Sequence, residues 1–236
     1  MTEGIIRQFG KAFPALALLV ATVALPSAAA DLDGLLRSMD SAAAAWRGMR
    51  ADVEWSRYMS LVEDRTSEFG RIAVRRDRSG EVSMLISFER PNAYFLSVKG
   101  TKVEIYKPKT KTVEEYDLSD SRAKLENALL LGFGISGAYL RKHFDIKVVG
   151  GEDIGGHETL HIDLQPRAPD AELNNQRIEM WISTTHWQPV RQRVHDRLTD
   201  DYRAYSYSGM EVNPALQDGE FRLRLARGTR RVRPQR

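Results

Sequence analysis

The sequence predicts an α+β chain, mostly antiparallel β: a strongly curved open sheet of about ten or eleven strands, with an N-terminal helix and a helical lid on its concave side. Three observations predict this. One helix-period run follows an apolar leader. Two long stretches of period-two alternation follow, punctuated by turn residues. A glycine-rich helical break, Ser119–His143, separates them.

The leader comes first. Arg7 and Lys11 precede a nearly unbroken apolar run, Ala12–Leu25, and then Pro26-Ser27-Ala28-Ala29-Ala30. A basic start, a short apolar core and small residues before a cut are the marks of a secretory signal peptide. The run is shorter than the roughly 20 residues a spanning helix needs. Residues 1–30 are therefore expected to be removed after Ala30, which makes the chain an exported one that does not span the membrane. Residues 31–226 then form a single domain, and residues 227–236 a basic, flexible tail. There is no cysteine, so neither disulfides nor a lipidated cysteine is available. Loss of the leader lowers the formal charge of +3 by one, too little to point to nucleic acid.

Leu32, Leu35, Leu36, Met39, Ala43 and Trp46 share one helical face, with Asp31 and Asp33 at its start and Gly48 as its stop. Strands are then expected at Ala51–Ser56, Arg71–Arg75, Val82–Phe88, Tyr94–Lys99, Lys102–Tyr106 and Lys111–Tyr116. Gly80, Gly100 and Lys107–Thr110 supply turns between them. In the break, Ser119 and Asp120 suit a helix start, and Gly132, Gly134 and Gly137 suit a hinge. Strands resume at Phe144–Val149, Thr159–Leu164, Arg177–Ser183, Pro189–Arg197, Tyr202–Val212 and Phe221–Leu225. A sheet this wide curls because strands twist, and two helices cover only one face.

The string His157-Glu158-Thr159-Leu160-His161 matches the zinc-peptidase pattern letter for letter. That chemistry needs a helix, where positions i and i+4 meet on one metal. Here the alternation reads as a strand, on which the two rings would stand about 13 Å apart. No metal site is expected. His143, His186 and His195 fall in separate elements, and no nucleophile elbow or phosphate loop is present. No catalytic residue and no cofactor are expected, so the chain is not read as an enzyme.

The apolar positions say more. Met84, Ile86, Phe88, Leu96, Val98 and Ile105 line one half of the sheet, and Ile162, Leu164, Met180 and Ile182 the other. The lid adds Leu129, Phe133, Ile135 and Leu140. Singly, each reads as a core residue. As a group they outline a cavity between sheet and lid that an acyl chain would fill. The arginines at 222, 224, 227, 230, 231, 233 and 236 form either a solvated edge and tail or a contact for anionic headgroups or an acidic partner.

Four stretches, in order, resemble the LolA-like outer-membrane lipoprotein-sorting proteins. They are the Leu32–Trp46 helix; Gly70–Arg76 with Phe88-Glu89-Arg90-Pro91 and the Val98–Pro108 hairpin; Val113–Leu118; and Asn213-Pro214 with Gly219–Leu223 and Gly228-Thr229. Two departures stand out: the Phe88–Tyr106 spacing, and Ala226-Arg227-Gly228, where the family carries a proline. The resemblance implies a periplasmic protein, an open half-barrel whose lid shields the acyl chains of a lipoprotein or lipid crossing the periplasm. It also implies a monomer served by an inner-membrane donor and an outer-membrane acceptor protein. A lid-gating arginine is implied as well: Arg76 by the count from Gly70, or Arg90 by the Arg-Pro-Asn string. The alternative on the same fold is a binding module that senses lipid or envelope stress and acts through a protein partner without transport.

Overall fold

The computed structural model describes residues 32–119, 132–167 and 177–234. The expected signal peptide with its cut site, most of the first lid helix, and Leu129 lie outside them. Among the described residues no helix is long and apolar enough to cross a membrane.

Helix α1 (Leu32–Ala45) buries Leu35, Leu36 and Met39, the face its spacing predicts. It ends before Gly48, which instead opens strand β1 (Gly48–Met59). A Cβ on Gly48 would lie 2.5 Å from the carbonyl oxygen of Val74, so this glycine serves close strand packing rather than helix termination. The helix is stopped from a distance by Asn213, held at φ 57°. Its amide nitrogen donates to the Ala45 carbonyl (3.0 Å), and its oxygen accepts from the backbone N–H groups of Arg47 (2.6 Å) and Gly48 (3.3 Å).

The meander continues through β2 (Asp64–Arg76), β3 (Val82–Arg90), β4 (Tyr94–Lys99), β5 (Lys102–Lys107) and β6 (Thr112–Asp117). Helix α2 (Gly137–His143) follows, then β7 (Phe144–Ile154), β8 (His157–Pro166), β9 (Ile178–Ser183), β10 (Pro189–His195), β11 (Tyr202–Val212) and the short β12 (Arg230–Val232). The strands form one open twelve-stranded sheet in the order β12-β6-β5-β4-β3-β2-β1-β11-β10-β9-β8-β7. It is an α+β half-barrel, antiparallel except at one edge. Each half is a meander of neighbours, and the halves join where β1 pairs with β11.

Two expectations near the end of the chain need correction. Phe221–Leu225 does not join the sheet. Residues Asp218–Phe221 form a 3-10 turn closed by reciprocal bonds of Gln217 and Glu220. The alternation there is real but has another use: Phe221 and Leu223 are half-buried while Arg222 and Arg224 are exposed. The segment lies against strands already paired on both sides. Arg75 stacks on Phe221 at 5.0 Å and pairs with Asp218 at 2.6 Å, and the N–H of Ala226 donates to the Tyr106 hydroxyl at 3.2 Å. The second correction concerns the tail. Arg230–Val232, assigned to a flexible tail, forms β12, parallel to β6. Arg231 bridges Glu104 and Glu115, two carboxylates facing each other across β5 and β6, and Arg233 reaches Glu115. Like charges placed opposite on neighbouring strands repel, and the guanidinium between them relieves this. Two of the tail's arginines, Arg231 and Arg233, thus find their acidic partners within the chain itself.

Candidate functional site

Both described α-helices pack on one sheet face, and the predicted cavity residues among the described ones gather there in two clusters. Met84, Ile86, Phe88, Val98 and Phe133 belong to the first, with Leu96 packed against it. Leu140, Ile162, Leu164, Met180 and Ile182 belong to the second, with Ile135 packed against it. Ile105 is half-buried and belongs to neither.

A short stretch ahead of α2 joins the clusters. Gly132 and Gly134 both have left-handed backbone (φ 83° and 62°), which glycine adopts without strain. They let residues 132–135 send neighbouring side chains into different clusters: Phe133, fully buried, into the first and Ile135 into the second. Phe133 meets Tyr207 edge-to-face at 4.7 Å. Space is tight on both sides. A Cβ on Gly132 would lie 2.3 Å from the Met180 methyl, and one on Gly134 would lie 2.8 Å from the Trp46 ring. The N–H of Gly134 donates to Gln188, itself buried, at 2.9 Å.

Helix α2 is anchored in turn. The Ser136 hydroxyl caps it by accepting from the N–H of Tyr139 at 3.1 Å. Asp40 of α1 accepts from the N–H of Ala138 at 3.0 Å, and Arg141 pairs with Asp33. The space expected between sheet and lid is therefore occupied, over the described residues, by side chains of the lid segment itself.

The two arginine candidates separate. Arg76 lies on the helix-bearing side, its guanidinium 5.3 Å from the Trp46 ring centroid, so β2, the end of α1 and Gly134 meet at one tryptophan. Arg90 stacks on Phe69 at 5.4 Å and lines a groove of about 600 Å³ with Asp52, Glu54, Arg71, Glu89 and Arg191. On β1 and β2, Asp52, Glu54, Phe69 and Arg71 alternate with the core residues Val53 and Ile72, which puts the groove's polar lining on the face opposite the helices. No reading of the sequence anticipates this groove, which draws on strands from both halves.

The zinc-peptidase string lies on β8. His157 faces His186, ring centroids 5.7 Å apart, whereas His161 stacks on Trp181 at 4.2 Å. Beside them Glu179 is buried, which favours the neutral form. His195 (2.7 Å), Arg193 (3.2 Å) and Arg177 (3.3 Å) nevertheless hold its carboxyl below the usual range. Burial, with His157 nearby, pushes His186 down.

Sequence reasoning also missed Tyr207, Gln188, Gln192 and Asn213. The readable signal was a polar residue at an inward strand position, as at Gln192 beside Val190.

No protein-family model and no curated protein matches the chain. Solved structures do match. The fold is that of an open antiparallel sheet with helices on one face, the class to which MucB belongs. MucB shares 13% identity at a TM-score of 0.55, over 82% of this chain and 63% of that one. The Pseudomonas aeruginosa MucA/MucB complex matches at 12% identity and a TM-score of 0.50, over 82% of this chain and 61% of that one. An uncharacterized conserved protein from Thermus thermophilus matches at 11% identity and a TM-score of 0.53, over 86% of this chain and 98% of that one. The chain thus spans about three-fifths of the MucB chains it matches. Structural neighbours also include a LolA superfamily protein from Nitrosomonas europaea, at 10% identity and a TM-score of 0.39 over 81% of this chain and 97% of that one. At that level the fold assignment rests on the first three.

Proposed function

We propose that this chain is an exported carrier, or chaperone, that holds the acyl chains of a lipoprotein or lipid on the helix-bearing face of the sheet for sorting to the outer membrane. It acts by burial, without bond chemistry. The observation that supports this reading is the seam: two adjacent apolar clusters are bridged by a five-residue stretch rather than by a regular element. Loading requires that stretch to swing out with α2. Each CH₂ withdrawn from water then contributes about 0.8 kcal/mol, which offsets the lost contacts of Phe133 and Leu140. A donor at the inner membrane and an acceptor at the outer membrane complete this reading.

The test is native mass spectrometry of the chain purified from the periplasmic fraction, with lipid extraction in parallel. A bound acylated species supports the carrier. A ligand-free mass, together with no uptake of a fluorescent fatty acid, refutes it. The second reading is a sensor acting through a protein partner. Favouring it, the similar MucB is described in complex with MucA. Capture of one stoichiometric partner by a lipid-free chain would select it.

A further inference from the structure

Six buried side-chain polar atoms have no hydrogen-bond partner among the described residues: Trp46 Nε1, His161 Nε2, His186 Nε2, Gln192 Nε2, Arg193 Nε and Tyr207 Oη. Unpaired buried donors are costly and rare, so each calls for an explanation. Three of the six belong to residues that touch consecutive positions of the lid segment. Gln192 Nε2 lies 3.1 Å from where a Cβ on Gly132 would stand. The Tyr207 ring packs on Phe133. The Trp46 ring packs on Gly134. All three residues are at most 5% exposed. Withdrawal of the segment uncovers three side chains that carry unused N–H and O–H groups, beside the apolar clusters and the Gln188 amide that Gly134 leaves behind.

A hydrocarbon chain offers these donors nothing. An ester carbonyl, where an acyl chain joins its glycerol, is a neutral acceptor with two lone pairs. Burial pushes the Tyr207 hydroxyl well above its usual range, so it stays protonated and able to donate. We infer that Trp46, Gln192 and Tyr207 form a carbonyl-reading site that makes the cavity selective for acyl esters over other apolar chains. This deepens the carrier reading and rests on it. The ester has two sources, a glycerophospholipid or the diacylglyceryl group of a lipoprotein.

The experiment titrates the full chain with three probes by native mass spectrometry: dipalmitoyl phosphatidylethanolamine, its dihexadecyl ether analogue and a dipalmitoylglyceryl-cysteine peptide. The ether retains the chains and headgroup but lacks the carbonyls. Expected is at least tenfold tighter binding of the ester than of the ether, a preference abolished in Tyr207→Phe and in Gln192→Leu. Tighter binding of the phospholipid or of the peptide assigns the source, and either upholds the site. Equal binding of ester and ether overturns the site and leaves the carrier standing. No binding of any probe overturns both. Thermal unfolding of ligand-free Tyr207→Phe is the independent check. Loss of an unpaired hydroxyl leaves the midpoint unchanged or higher. A fall of several degrees would mean that the hydroxyl is a structural hydrogen bond, and the site would be wrong.

Discussion

Phe133→Ala tests whether the lid segment is a latch. Phe133 is fully buried against Tyr207, and truncating such a side chain to alanine costs about 3–5 kcal/mol. If residues 132–143 open as a unit, Phe133 has already lost these contacts in the open state. The substitution then raises the closed state alone. At about 1.4 kcal/mol per tenfold, the lower figure moves the closed-to-open equilibrium by roughly a hundredfold. The thermal midpoint falls by about 6–12 °C, taking about 2–4 °C per kcal/mol for a domain of this size. Val113→Ala is the control. Val113 is equally buried but lies on β6, in neither of the clusters the latch joins. It costs about 2 kcal/mol, two methyl groups plus the cavity they leave, without favouring opening. The assay pairs stopped-flow uptake of a fluorescent fatty acid with hydrogen exchange at residues 132–143. Phe133→Ala should accelerate both by one to two decades, and Val113→Ala neither. Equal acceleration in the two variants would show that exchange and uptake follow global unfolding, and the latch would be refuted.

Other expectations are more local. Asn213→Ala removes three hydrogen bonds and leaves a left-handed backbone without its asparagine. A loss of about 2 kcal/mol is expected, and Asn213→Gly, which relieves only the backbone, recovers part of it in a denaturant titration. Arg76→Met should change the rate of fatty-acid uptake at least two- to fivefold, since one cation–π contact contributes about 0.5–1 kcal/mol even when exposed and Arg76 is half-buried over Trp46. Arg90→Met should leave it unchanged, and the reverse order would place the gate on the other face. The depressed His186 makes the fold acid-sensitive. Below about pH 6.5 the unfolded chain takes up a proton that the folded chain resists. The contribution is therefore present above that pH and is lost as pH falls toward the lower folded value. Midpoints measured between pH 7 and 5 should decline less steeply for His186→Gln than for the native chain.

Much of the architecture was legible because a sheet with one buried face writes its burial into alternate residues. The bounds of β4 and β11 coincide with those the alternation predicts. β1 and β2 are longer than expected: their far ends, Arg57–Met59 and Asp64–Phe69, carry little apolar pattern, and β1 also starts early, at Gly48, where the glycine read as a helix stop and hid the buried Met49. Pairing was less legible. Nothing local in Val53 or Tyr207 announces that they stand opposite each other. The same gap hid the groove beside Arg90, which needs residues from six strands of both halves. The apolar lining of the site was readable residue by residue. Its unpaired donors were not, since a tryptophan, a glutamine and a tyrosine read the same in the sequence with or without partners.

The ladder between β1 and β11 also fixes the order of events when the chain first folds. Its register joins Tyr58 to Tyr202 and Met49 to Val212, so the centre of the sheet is its most distant pairing in sequence. Hairpins β2 to β6 close over short loops as soon as they emerge. β1 has its β2 partner early but waits for almost all of the remaining chain to gain the other. Contacts of such long range carry the loop-closure cost that slows folding. A chain made or threaded from its first residue therefore presents a half-sheet with two open, strand-ready flanks, β1 until β11 arrives and β6 until β12 does. That interval, rather than the finished fold, is when this protein most needs a helper to keep its exposed edge from other chains.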